Sequence, residues 1–505
     1  MSLRPRIVLL SIALAVSAGL GGRAGAVVTD EHRVLEGGWF ELPPYAHMDR
    51  DGRLTGFDVA LVREVGNRAG ISFAFRQVDW YRTQALVRDG QLDFGLGAFR
   101  NAEREGYALF SAAYRRETDN LFLPPRLAGK ITAKTPEALF AEVRRLGLKI
   151  GAVEGYDYGP HAAAFLADPA QRARLLVART DGENARRLAA GEVDGFLADR
   201  LSGYHALADA DAVARPSPVT VFEGDVHVLF SQATVDPATV RRFDEALAAV
   251  IADGTYDRIK KGFVIPAMLD IATSTRWFRA LDWVGTVAYA ISGVLIARRE
   301  RYSLFGAFVL ALLPALGGNV VGDLLVGRQP IGILETPVGV LLVLGTVVIG
   351  YGLFRLSDFV HGRFLFMLDL AWLFMWTRRY LPPQNVYEFF DAMALSAFTV
   401  GGVVVAIRFG AAPLWIWGPL LAVLAAAGGS ILRDVIRSDA DNPGLKTTLY
   451  AEIALVWGLL LSLVAANGDV VAGPARFQAA VIVVVAGAFL SRMTVVILRV
   501  RSPRF

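Results

Sequence analysis

"NARRLAAGEVDGFLAD", residues 184–199, decides the first half of the chain: it reads as a helix, a turn at Gly191, then a buried strand that ends in Asp199. The same grammar extends on both sides. "GFDVALVREVGNRAG" (56–70) sets Val59, Val62 and Val65 at helical spacing, with Gly70 as the stop. "LDFGLGAF" (92–99) is strand-like, "GLKIGAVEG" (147–155) is a strand and a turn, and "VRRFDEALAAVIADGTYDRIKKGF" (240–263) is a long amphipathic helix. Strands alternating with helices predict an α/β domain with parallel sheets across 27–276. In such sheets a ligand sits at the strand carboxyl ends, in the cleft where the strand order switches.

The 505 residues exceed one ordinary domain, and 54% of them are hydrophobic. The net charge of +4 hides a split. Residues 27–276 hold 31 Lys+Arg and 35 Asp+Glu, whereas 277–505 hold 18 and 13, so charge density roughly halves at the boundary. That split excludes a single soluble globule, a disordered chain and a coiled coil. No stretch concentrates Lys and Arg on one exposed face, which argues against nucleic acid as a partner. The absence of cysteine excludes disulfides and thiolate chemistry. Residues 1–26 read as a signal peptide: Arg4 and Arg6, an apolar run from Ile7 to Leu20, and Ala24-Gly25-Ala26 as a cleavage site. The competing reading is a first membrane helix, for which the run is short.

Taken in order, "DGRLTGFDVALVREVGNRAG", "DWYRTQALVRDGQLDFGLGAF", "RNAERE", "LKIGAVEG", "ARRLAAGEVDGFLADR" and "ADGTYDRIKKGF" resemble the extracytoplasmic amino-acid-binding proteins that serve ABC importers. The resemblance implies a two-lobed clamp that closes on a ligand, with lobe one at about 33–121 plus 228–265 and lobe two at about 122–227. It implies roles for three residues. Arg104 stands where the family grips the ligand carboxylate, a task that suits a forked guanidinium. Asp199 stands where a carboxylate takes the ammonium, and Trp80 where an aromatic wall covers the ligand. Against these stand a solvated helix arginine, a helix cap and plain core. The chain departs from the family at Phe99 and Asn101, at Tyr156, and at Leu42-Pro43-Pro44-Tyr45. A bulkier, less hydroxyl-rich pocket is expected, one that suits a small or apolar amino acid.

From 277 onward seven apolar runs are long enough to cross a bilayer, at roughly 278–297, 304–326, 336–354, 389–407, 413–432, 447–466 and 477–498. Phe364 to Trp376 is short and aromatic and reads as interfacial. With the mature N-terminus outside, Arg298, Arg299, Arg301, Arg378, Arg379, Arg437 and the C-terminal arginines fall inside, as the positive-inside bias requires. This predicts a bacterial inner-membrane protein with a periplasmic first domain and a cytoplasmic C-terminus. A repeat is present: Asp282-x5-Ala288-Tyr289-x3-Gly293 matches Asp391-x5-Ala397-Phe398-x3-Gly402 at an offset of 109, and Gly317-Gly318-x4-Asp323 matches Gly428-Gly429-x4-Asp434 at 111. Units at 281–356 and 390–466 would each cross three times, so the second is inverted in the membrane; 477–498 is an extra helix.

The second helix of each unit carries the candidate permeation residues: Gly317, Gly318 and Asp323 in the first, Gly428, Gly429, Arg433 and Asp434 in the second. Glycine pairs let a helix bend and backbones approach, and ionisable groups at membrane depth are costly. The bland reading is tight packing for the glycines and helix ends for the acids. The bland reading of Glu452 and Arg492 is that they simply pair with each other. "DWVGTVAYAISGVLIARRERYSLFGAFVLALLPALGGNVVGDLLVGRQP" and "DAMALSAFTVGGVVVAIRFG…GGSILRDVI" resemble the paired domains of small bacterial glycine-transporter-like membrane proteins, relatives of the trimeric intracellular cation channels. That resemblance implies seven helices, a pore in each protomer, and a homotrimer in lipid. Gly322 stands where the family has an arginine, which the second unit keeps as Arg433.

No phosphate loop, histidine metal cluster or nucleophile elbow appears, so no enzyme activity, metal or cofactor is expected. The functional expectation is a transport protein whose tethered receptor binds a small amino acid, glycine among the candidates. The alternative is an amino-acid-gated K⁺ channel. A receptor that signals to a partner is a third, weaker reading.

Overall fold

The computed structural model describes residues 34–49, 51–273, 275–361, 383–437, 449–467 and 473–500. The expected signal peptide (1–26) and the interfacial segment (364–376) lie outside the described residues.

Several helices in the first half start on side-chain caps. Asp79 accepts from the Arg82 amide ahead of Trp80–Arg88, Thr180 from the Glu183 amide ahead of Asp181–Ala190, and Asp199 from the Leu201 and Ser202 amides ahead of Arg200–Asp209. Gly70 and Gly191 end theirs at φ 68 and 76, a left-handed conformation that glycine adopts without strain.

These helices cover a nine-stranded sheet. A small separate pair is formed by β2 (His47–Met48) and β3 (Leu54–Thr55). On one side of the large sheet, β1 (Val34–Trp39) pairs parallel with β4 (Ser72–Gln77) and β5 (Phe94–Phe99). On the other, β8 (Ile150–Val153) pairs parallel with β9 (Leu175–Ala178) and β10 (Gly195–Asp199). Between these halves run β7 (Arg115–Leu123) and β11 (Arg215–Ser231), antiparallel to each other, with β6 (Ala108–Phe110) against β11. The expectation of parallel sheets therefore holds within each half and fails at the junction, because the chain crosses from lobe to lobe on two long strands. Each lobe has its own core: Trp39, Phe57, Phe94, Phe230 and Phe243 in the first, Leu121, Phe140, Phe165 and Leu197 in the second.

The second half is helical. Six described helices are long and apolar enough to cross a membrane: Arg276–Arg299, Leu304–Leu325, Val338–Leu356, Glu388–Arg408, Leu414–Ile436 and Phe477–Leu498. The seventh expected span appears as the shorter apolar helix Ala451–Ala466; the start of the 447–466 run lies outside the described residues. Large apolar side chains such as Ile349, Leu353, Leu490 and Ile497 face outward, as lipid contact demands. Inside, repeat counterparts meet: the rings of Tyr289 and Phe398 stack at 5.4 Å and 9°.

Candidate functional site

Trp80, Arg104 and Asp199 converge on one cleft between the lobes, where the remaining space measures about 30 Å³. Trp80 opens its helix behind the Asp79 cap, and Arg104 sits in Ala102–Glu105, where Asn101 Oδ1 accepts from its amide at 3.0 Å. Asp199 ends β10. The Arg104 guanidinium donates to Gln84 Oε1 (2.9 Å), the Phe99 carbonyl (2.8 Å) and the Gly155 carbonyl (3.2 Å), and lies 5.3 Å from the Trp80 ring centre. Burial lowers its pKa from the ordinary arginine value, against the pull of Asp157. Gly155, in the second lobe, also accepts from Trp80 Nε1 and Gln84 Nε2, each at 3.1 Å. Asn101 Nδ2 reaches Asp157 Oδ2 at 2.7 Å. The two lobes are thus latched, and the Tyr156 ring fills the gap against Phe40 at 5.9 Å.

Asp199 is a helix cap that also lines the cleft. Its Oδ2 caps the following helix and accepts from Tyr45 Oη at 3.1 Å, its Oδ1 accepts from the Thr118 amide at 3.2 Å, and the residue lines the cleft.

Sequence reasoning missed the acids of the crossing strand. In "RRETDNLFL" (115–123), Arg115, Glu117 and Asp119 alternate, so they share one face of β7. That alternation of charges inside a buried strand was the signal. Arg115 grips Asp58 with Nε (2.8 Å) and Nη2 (3.1 Å), pairs with Glu117 through Nη1, and stacks 3.8 Å from the Tyr45 ring centre. Burial pushes the Glu117 carboxyl up to about 7, against the pull of Arg115, and pushes Asp119 well above the carboxylate range, helped by Glu117 and Asp199.

In the membrane half the two glycine pairs meet at a crossing of broken helices. A single π-helical turn interrupts each: Leu313–Gly317, which contains Pro314, and Leu424–Gly428. A methyl on Gly318 would overlap the Leu424 carbonyl oxygen, and one on Gly429 the Leu313 carbonyl oxygen. The contact is reciprocal at an offset of 111. Gly317 and Gly428 are different: a methyl there would find its nearest neighbour at 3.7 and 3.6 Å. The acids are held within their own units. Asp323 is bound by Arg328 Nη1 (3.2 Å) and the Gly332 amide (2.7 Å), and Asp434 by Arg433 Nε (2.8 Å) and Arg437 Nη1 (3.3 Å). Arg328 supplies the guanidinium that Gly322 lacks. Arg433 Nη1 crosses to Ser292 Oγ of the first unit at 3.0 Å. Arg492 binds Glu388 (2.6 Å) and Asp391 (3.2 Å) and not Glu452, because those two acids face it from the helix it packs against.

Residues 40–265 match the bacterial extracellular solute-binding proteins, family 3, and residues 279–355 with 388–466 match the family described as Glycine transporter. The chain joins a family 3 solute-binding domain to a Glycine transporter domain. Relatives of the latter include the UPF0126 membrane protein YvgT of Bacillus subtilis (strain 168), 29% identical over 36% of this chain and 78% of its own length. The UPF0126 inner membrane protein YadS of Escherichia coli (strain K12) is also 29% identical, over 36% of this chain and 75% of its own. Solved structures similar to the solute-binding domain include a histidine kinase sensor domain with similarity to periplasmic binding proteins (21% identity, 46% of this chain and 97% of that one, TM-score 0.39). An ancestral arginine-binding protein bound to arginine gives 21% identity, 46% and 99% coverage, and a TM-score of 0.39. In the solute-binding domain the cleft residues lie at the junction of the lobes; in the Glycine transporter domain the glycine crossing lies where the two matched segments meet.

Proposed function

We propose that the chain is a membrane transport protein in which an extracytoplasmic clamp captures an amino acid and serves a permeation path carried by the same polypeptide. The observation that carries this reading is that both lobes touch the membrane domain. From the first lobe, helix Thr255–Thr273 packs its Ile265 and Leu269 against Ala465, and Lys261 Nζ donates to the Ala466 carbonyl at 3.0 Å. From the second lobe, Asp211 binds Arg279, at the start of the first membrane helix, at 2.7 Å. A cavity of about 790 Å³ lined by Asp211, Arg215, Trp277 and Gln478 lies between the second lobe and the helices. Tethering keeps the captured ligand at high effective concentration beside the path.

In this reading the protein sits in the inner membrane with the clamp outside and the C-terminus inside. The two matched segments are inverted repeats, Gly317 and Gly428 face the path, and the assembly is a homotrimer. The grip of the second lobe on Arg279 favours one alternative, a clamp that gates a cation path as it closes. Proteoliposomes holding the full chain separate the two. Uptake of labelled amino acid, with glycine the first tested, supports transport. Amino-acid-dependent K⁺ current without amino-acid flux supports gating and overturns transport.

A further inference from the structure

The cleft holds a charge imbalance that capture of a simple zwitterion does not use. One guanidinium, Arg104, and four carboxylates, Glu117, Asp119, Asp157 and Asp199, line the space. Three of the four acids are partnered. Glu117 pairs with Arg115, Asp157 accepts from Asn101 and from the Gly159 amide, and Asp199 accepts from Tyr45 and three backbone amides. Asp119 is not: it is 3% exposed, and among the described residues what acts on its carboxylate is burial and the repulsion of neighbouring acids. Neither buried guanidinium is placed to serve it. Arg115 is committed to Asp58 and Glu117, and Arg104 to Gln84 and two carbonyls.

Burial among other acids holds the Asp119 carboxyl protonated in the empty cleft, and a cation placed beside it would let it ionise and form a charge-assisted pair. The walls are of the kind that accept an organic cation. Phe40 lies 5.8 Å from Trp80, centre to centre, and ring faces attract ammonium and guanidinium groups. Among the described residues no cluster is fit to hold a metal ion. The Tyr156 hydroxyl is buried without a hydrogen-bond partner and belongs to the second lobe, so it leaves the first-lobe wall when the lobes part. The 30 Å³ left in the closed cleft holds about one water, so a ligand enters the open form and takes the place of the Tyr156 ring.

We propose that the ligand of this cleft is an organic cation with a positive group beyond any α-ammonium, an alkyl chain ending in ammonium or guanidinium, and that Asp119 binds that group. The proposal rests on the reading of the cleft as the ligand site. Its chemistry has two sources, a basic amino acid, whose carboxylate Arg104 would hold, or a diamine, which leaves Arg104 unused.

Calorimetric titration of the purified full chain with L-lysine, L-arginine, 1,5-diaminopentane, glycine and L-leucine tests it. The expected result is binding of at least one of the first three, with glycine and leucine weaker by about a hundredfold or more, the worth of one buried charge-assisted contact. Asp119→Asn should weaken the cation by about tenfold or more. It should leave the melting temperature of the empty chain unchanged or higher, since an amide replaces a carboxyl that burial already holds neutral, so a folding failure is distinguishable. Arg104→Ala should weaken the amino acids and spare the diamine. Glycine or leucine binding as tightly as lysine, with loss on Arg104→Ala, overturns the charge assignment and keeps the cleft. Lysine binding unmoved by Asp119→Asn, Arg104→Ala and Trp80→Ala overturns the cleft reading itself. Binding of none of the three cations overturns the proposal.

Discussion

The lobe cleft and the glycine crossing are both places where two similar halves meet, and they meet through opposite chemistry. In the cleft the contact is polar: Trp80, Gln84 and Arg104 of one lobe converge on the single Gly155 carbonyl of the other. Such bonds exchange readily for water, so the lobes can part and close at modest net cost. At the crossing the contact is backbone on backbone, with Gly318 under the Leu424 carbonyl and Gly429 under that of Leu313. In lipid nothing replaces that packing when it is lost. The difference assigns opening to the cleft and permanence to one glycine of each pair.

The sharpest way to break this comparison is to crowd the crossing. Gly318→Ala and Gly429→Ala place a methyl group against backbone, which cannot rotate away. Overpacking of this kind costs about 1–3 kcal/mol or more each, and the expected outcome is loss of monodisperse protein in detergent. Gly317→Ala and Gly428→Ala meet ordinary contacts and should purify like the parent. If all four behave alike on size exclusion, the distinction within each pair is wrong.

On the cleft side the largest effect belongs to Arg115. Arg115→Leu leaves Asp58 and Glu117 buried without their cation, and breaking a buried pair costs about 3–5 kcal/mol. Tryptophan-monitored melting of the full chain should show a lowered first transition. An unchanged transition would mean that the triad is not what fastens the crossing strand to the first lobe.

A smaller effect comes with pH. Burial first, and then Asp199 against the pull of Arg115, push the Glu117 carboxyl up to about 7; burial does the same for Asp181, also to about 7, against the hydrogen bond from Ser202. An acid whose folded pKa is raised binds extra protons in the folded chain between its unfolded and folded values. The contribution of these two groups is therefore most favourable below about 4, and it is lost as pH rises toward 7. The melting temperature of the clamp should fall across that window, and less steeply in Glu117→Gln. An equal slope in the variant would remove Glu117 from the account.

Much of this was legible in the sequence because it repeats or alternates. Gly317-Gly318 and Gly428-Gly429 announce themselves by spacing, and the helix-turn-strand of 184–199 places Asp199 at a strand end. Which glycine of a pair packs was not legible. A π turn inserts one residue into the helical register, which moves the contact from one glycine to the next without leaving a mark in the spacing. Glu117 and Asp119 were readable in principle from their alternation with Arg115. The notice of Tyr156 as a bulky departure did not reveal that it fills the closed cleft against Phe40. The contact between Asp211 and Arg279 joins the two domains through residues 68 positions apart, and nothing local to either residue points to the other.

That contact gives the smallest stability effect and the most informative one. The side chains of Arg279 and Asp211 are 47% and 70% exposed, so the pair is worth about 0–1 kcal/mol. Arg279→Ala should then move the melting temperature by less than about 4 °C. Transport or current in proteoliposomes should fall far more than that, because the second lobe would close on its ligand without pulling the first membrane helix. The exchanged pair Asp211→Arg with Arg279→Asp restores the bond with its sign reversed and should recover most of the loss. Recovery ties function to the link between clamp and helix. Full activity in Arg279→Ala alone would show that the clamp serves the path without this link, as a tethered receptor and nothing more.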